Sequence, residues 1–186
     1  MLRVSSLSLA LLLTFSAAGC DAEESLLGEF VGRTSVGAET RAVEGEAVYT
    51  VFETPAGPEF VLGLFVGDLF ESDTDEYDYV LFRRVGGRPG VGAYPVTADP
   101  DHAVGATIAR VDEAEDPLES VGALLTGTDG TLGLTRIDDY GFIAGTYAFT
   151  AEGIRLMPRG GRVSGEARGT FEARYVPPST FRRLGL

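Results

Sequence analysis

The chain has 186 residues, with 15 basic against 28 acidic side chains, a formal net charge of −13, one histidine, one cysteine and no tryptophan; every basic residue is arginine. This balance leaves no basic patch to neutralise phosphates and so excludes nucleic acid as a partner. One histidine cannot build a two- or three-histidine metal centre, and a single cysteine supports no disulfide framework.

The first stretch, "LRVSSLSLALLLTFSAAGC", has the order and length of a secretory signal: Arg3 as the positive region, Leu7 to Phe15 as the apolar core, and small residues from Ser16 to Gly19. A spanning helix needs about 20 apolar residues. The run from Val4 to Gly19 is shorter and is broken by Ser5, Ser6, Ser8, Thr14 and Ser16.

The sequence Ala17-Ala18-Gly19-Cys20 resembles the lipobox of bacterial lipoproteins. It departs from the family's pattern at Ala17, where leucine is preferred. The resemblance implies that the Cys20 thiol receives a diacylglyceryl group, that the peptide is cut before it, and that the new amino terminus is acylated. It places the protein in the bacterial cell envelope, exported and anchored to the membrane through Cys20. Two or three acyl chains suit stable attachment, which a single chain does not give. Asp21 resembles the signal that retains lipoproteins in the inner membrane of some bacteria. The alternative, an ordinary signal cut elsewhere, leaves an unpaired thiol that invites intermolecular pairing.

The organisation expected is a helical signal peptide over 1–19, the lipidated cysteine and a short acidic tether over 20–28, one all-β domain over 29–176, and a C-terminal tail over 177–186. With 25 glycines interleaved with aromatic and β-branched residues, the mature chain reads as short strands joined by turns, without a helix.

Strands are expected at 30–36 and 46–53. The nearly continuous apolar run "FVLGLFVGDLF" at 60–70 suits a strand covered on both faces. "ESDTDEYD" makes a charged hairpin tip before a strand at 79–85. "GGRPGVG" is turn chemistry between strands rather than a phosphate loop; a short strand follows at 91–96. Further strands are read at 104–111, 118–126, 131–137 and 142–150, the last two as a hairpin turning at 138–141.

The clearest pattern comes last. In "RVSGEARGTFEARYV", Val163, Gly165, Ala167, Gly169, Phe171, Ala173 and Tyr175 alternate with polar residues, a period of two that buries one face. A strand this long must bend, with Gly165 and Gly169 as the expected places. Pro177 and Pro178 send the tail along the surface. The sum is an antiparallel β-sandwich or flattened β-barrel of about nine to ten strands. "GTYAFTAEG" and "VSGEARGTFEARY" resemble the glycine-rich all-β domains of uncharacterised envelope lipoproteins.

Catalytic chemistry is sparse. His102 sits in a loop between acids and reads as solvated. There is no G-x-S-x-G elbow, no G-x-G-x-x-G opening a helix and no P-loop, so no cofactor is expected. Asp73, Asp75 and Asp78 in the acidic tip are weak calcium candidates, without the glycine and distal glutamate of an EF-hand loop; the acids of 112–119 admit the same idea.

The function expected is a lipid-anchored, non-catalytic binding or structural module whose partner is an envelope protein or small ligand. One alternative is a calycin-like carrier of an apolar ligand, with a pocket lined by Phe171, Tyr175, Tyr147 and Phe149. The other is a carboxylate enzyme, which requires a concave cluster of acids with raised pKa values.

Overall fold

Alternation of apolar and polar side chains builds nearly the whole protein. A computed structural model describes residues 27–66, 78–99, 103–111, 121–156 and 160–183. Nine strands follow in chain order: β1 Gly28–Val36, β2 Glu39–Thr54, β3 Gly57–Val66, β4 Tyr79–Val85, β5 Gly92–Pro95, β6 Gly105–Val111, β7 Val121–Ile137, β8 Phe142–Arg155 and β9 Gly161–Tyr175; helix α1 covers Pro178–Arg183.

Eight strands close on themselves in the order β7-β6-β4-β3-β2-β1-β9-β8, with β8 pairing back onto β7. Of the two architectures the sequence left open, this is the barrel. Ladders between neighbours are antiparallel, except for a brief parallel contact of β2 with β9 at Val48↔Arg174 and Tyr49↔Tyr175, past the start of β1. The extra strand, β5, pairs with the second half of β7 at 131–134, where β6 no longer reaches.

The barrel has two ends. At the proximal end lie Gly28, the Pro55-Ala56 turn, the β7–β8 turn and the last residue of β9. At the distal end lie the Gly37-Ala38 turn and the strand ends at Val66, Tyr79, Val111, Val121, Arg155 and Gly161.

Inward residues form one core that includes Phe30, Tyr49, Phe60, Phe82, Tyr147, Phe149 and Phe171. Strand β3 is apolar on both faces, as the continuous run implied: Phe60, Leu62 and Leu64 join the inner core, while Val61 and Phe65 join an outer cluster with Val48, Leu81, Val176 and Phe181.

Strand β8 runs on to Arg155 rather than ending at 150, and four larger departures from the sequence reading follow. The expected strands at 118–126 and 131–137 are one strand, β7. The gap left at 127–130 is closed because β8 pairs with β7 from Ala123 to Ile137, with register shifts at Gly127/Asp129 and Leu134/Arg136. Gly130 adopts φ 142°, a conformation that L side chains rarely take. Strand β2 starts at Glu39, not at 46, because its polar first half pairs with β1 from Val36↔Glu39 to Gly28↔Ala47. The tail contains α1, which opens on Pro178, where a missing N–H costs nothing, and it buries Phe181 on the outer face of β2 and β3.

The fourth departure is at the end of β9. Its alternation holds from Gly165 to Ala173, but Tyr175, counted with the buried face, is 44% exposed at the proximal rim. Inward-facing parity no longer means burial once the strand reaches the open end.

Candidate functional site

An eight-stranded barrel has an interior just wide enough to be filled by its own side chains or to hold one small ligand. Here three rings meet across the lumen. Phe82 from β4 lies 5.7 Å from Tyr147 and 5.5 Å from Phe149, both on β8, in edge-on geometries. Phe171 from β9 is buried beside them. Toward the proximal end Tyr49 packs 5.9 Å from Phe60 and 5.6 Å from Tyr175. The space enclosed by Phe30, Thr34, Val43, Val80 and Ile108 is about 10 Å³, room for one water at most.

Tyr147 shows how tightly the lumen is filled. Its ring points inward from β8, and its hydroxyl lodges over Gly32 and Gly169, which are register partners on β1 and β9. A Cβ at either glycine would come within 2.5 to 2.7 Å of that oxygen, so the ring depends on both being glycine. The hydroxyl is buried with no hydrogen-bond partner, and this desolvation pushes its pKa well above the ordinary 10.0.

A polar cluster occupies the distal end. Arg110 on β6 shares the inward parity of Ala106 and Ile108, and its side chain is 3% exposed. One Nη donates to Thr34 Oγ1 at 3.3 Å. The other lies 3.2 Å from Glu39 Oε2, and Nε lies 3.6 Å from Asp78 Oδ2. Arg41 engages the same two acids: its Nε donates to Glu39 Oε1 at 2.7 Å, and its Nη1 lies 3.5 Å from Asp78 Oδ2. The hydrogen bond from Arg41, followed by the charge of Arg110, holds the Glu39 carboxyl below its ordinary 4.5. Such a carboxylate stays ionised at neutral pH, the opposite of the raised carboxyl that acid catalysis requires.

The sequence-predicted residues divide accordingly. Asp78 faces two guanidiniums rather than an open oxygen cage. Asp73, Asp75, Cys20, His102 and the acids of 112–119 lie outside the described residues. Of the four side chains expected to line a carrier pocket, Tyr147 and Phe149 each pack against Phe82 inside the barrel, Phe171 is buried in the same core, and Tyr175 stands on the rim. The sequence reading missed Arg110, Glu39 and Arg41. The signal for Arg110 was its place on an apolar face of "ATIARV", where a charged residue needs a partner.

Outside, β9 is polar, showing Arg162, Ser164, Glu166, Arg168, Thr170 and Glu172 to solvent, while Val31, Leu124 and Ile154 stand exposed on β1, β7 and β8. A membrane-spanning barrel has the reverse arrangement, with an apolar band outward. No helix among the described residues is long and apolar enough to cross a membrane. The β8–β9 hairpin carries an open hollow of about 570 Å³ beside Glu152, Ile154, Arg162 and Ser164. At the proximal rim, Tyr140 is 88%, Val91 63% and Val85 48% exposed. No family model, curated protein or solved structure matches the chain.

Proposed function

We propose that the protein is a lipid-anchored module of the bacterial cell envelope, without catalytic activity, that presents the outside of a filled barrel to an envelope partner. The observation that carries this reading is the packed lumen: with Phe82, Tyr147, Phe149 and Phe171 inside, binding is left to the wall and the two ends. The lipobox-like Ala17–Cys20 supplies the anchor.

A closed eight-stranded barrel is also compatible with a calycin-like binder. Small-molecule sites, however, enclose roughly 300–1,000 Å³, whereas the hollow beside Phe30, Thr34 and Ile108 is about 10 Å³ and the rings of Phe82, Tyr147 and Phe149 pack against one another in the lumen. The surface module is therefore favoured over the carrier.

The anchor is tested by intact mass and membrane fractionation of the full chain expressed in a bacterial host, compared with Cys20→Ser. The native form is expected in the membrane fraction, heavier than the cut peptide by its acyl groups, and the variant in the soluble fraction. Two soluble, unmodified forms would remove the anchor.

A further inference from the structure

Resting on the anchor reading, we infer that the proximal rim of the barrel lies on the bilayer surface, with Tyr140 and Tyr175 as its interfacial contacts. Three independent features of the chain lead to this orientation.

The first is where the tether joins the fold. Cys20 precedes Gly28, the first residue of β1, by eight residues, which at full stretch is about 28 Å. Gly28 stands at the proximal end. The twelve rises from Gly161 to Ala173 on β9, tilted as barrel strands are, cover about 30 Å of barrel height. A tether with any slack therefore keeps the proximal end at the bilayer. To lay the distal end there, it would have to run taut along the whole wall.

The second is what the rim exposes. Tyr140 at the tip of the β7–β8 turn is 88% exposed, and Tyr175 beside it is 44% exposed. The two are tied together, since Tyr175 N donates to Gly141 O at 2.8 Å. Val85 and Val91, 48% and 63% exposed, continue the rim along the β4–β5 connection. Tyrosine favours the membrane interface, where its ring is apolar and its hydroxyl stays wet. Two arginines at this end stand over aromatic rings, Arg174 over Phe142 and Arg84 over Tyr94, each with Cζ 5.5 Å from the ring centroid; an apolar stem with a charged head suits the interface.

The third is charge. The β3–β4 and β6–β7 connections leave and rejoin the barrel at the distal end, and the sequences of 67–77 and 112–120 hold five acids each and no arginine. A bacterial bilayer surface carries anionic headgroups and repels such a load over about a Debye length. At the distal end Arg41, Arg110, Arg155 and Arg162 offset only part of these acids, whereas the proximal end mixes Arg83, Arg84, Arg88 and Arg174 with Glu53, Glu59, Asp99, Asp138 and Asp139, so it meets no comparable repulsion.

The absence of tryptophan makes the test clean. Full-length protein carrying Tyr140→Trp is purified from host membranes and reconstituted into phosphatidylethanolamine–phosphatidylglycerol vesicles doped with acyl-brominated lipid. A second protein carries Ala38→Trp in the exposed distal turn. The expected result is that both proteins float with the vesicles, and that the indole at position 140 is blue-shifted and quenched by bromine while the indole at position 38 emits as in water. Flotation without quenching at 140, or with quenching at 38, overturns the orientation and leaves the anchor standing. Failure to float removes the anchor and the orientation with it.

Discussion

Tyr147 concentrates the physics of this barrel in one side chain. Its ring fills the lumen against Phe82, and its hydroxyl sits unpaired over Gly32 and Gly169. An unsatisfied buried hydroxyl costs about 1–3 kcal/mol, and removing it leaves only a small gap. Tyr147→Phe is therefore expected to be neutral to about 1 kcal/mol more stable, a rise in Tm of about 3 °C at most. The same burial sets an alkaline limit. The folded pKa lies above the unfolded 10.0, so this contribution is fully present below pH 10 and is lost as pH rises beyond it, because only the unfolded chain then sheds the proton. Tyr79, raised by the same cause, acts in the same direction. Thermal melts between pH 8 and 11 should show a steep loss above pH 10 that is shallower in Tyr147→Phe. An equally steep loss in the variant, or a destabilisation larger than about 1 kcal/mol at pH 8, would contradict this account.

At the scale of elements, α1 decides whether β3 can be apolar on both faces. Phe181 is 1% exposed and contacts Phe52 and Phe65 at ring distances of 5.9 and 6.3 Å. Phe181→Ala should cost about 3 kcal/mol and lower Tm by about 9 °C, with the barrel retained by circular dichroism. A change within error would mean that α1 merely rests on the wall. The elements also show what was legible in the sequence. The alternation of β9 and the two-faced apolar run of β3 were readable because each states its own burial pattern. The helix was not, since six residues carry no period and only the patch on Val48, Val61 and Leu81 gives Phe181 a destination. The fusion of β7 was hidden for a related reason: the glycine-bounded 127–130, left between two expected strands, is held in the ladder by β8, a partner elsewhere in the chain.

At the scale of the molecule, barrel and sandwich could not be told apart locally, because closure rests on the pairing of β7 with β8 while β7 also holds β6. The aromatic residues singled out for a pocket do converge, but a sequence does not state the volume left between them. The distal cluster was equally hidden, since Arg110 is 69 residues from Arg41 and 71 from Glu39 in a chain whose acids are too many to single any out. In the proposed reading the closed barrel divides the labour: the inside supplies stability and recognition is left to the outside. The most direct measurement of that claim is a titration of the purified protein with a fluorescent long-chain fatty acid. No saturable binding is expected, because Phe82, Tyr147 and Phe149 pack against one another where the acyl chain would have to lie. Saturable one-to-one binding with displacement by unlabelled fatty acid would contradict it and make the barrel a carrier.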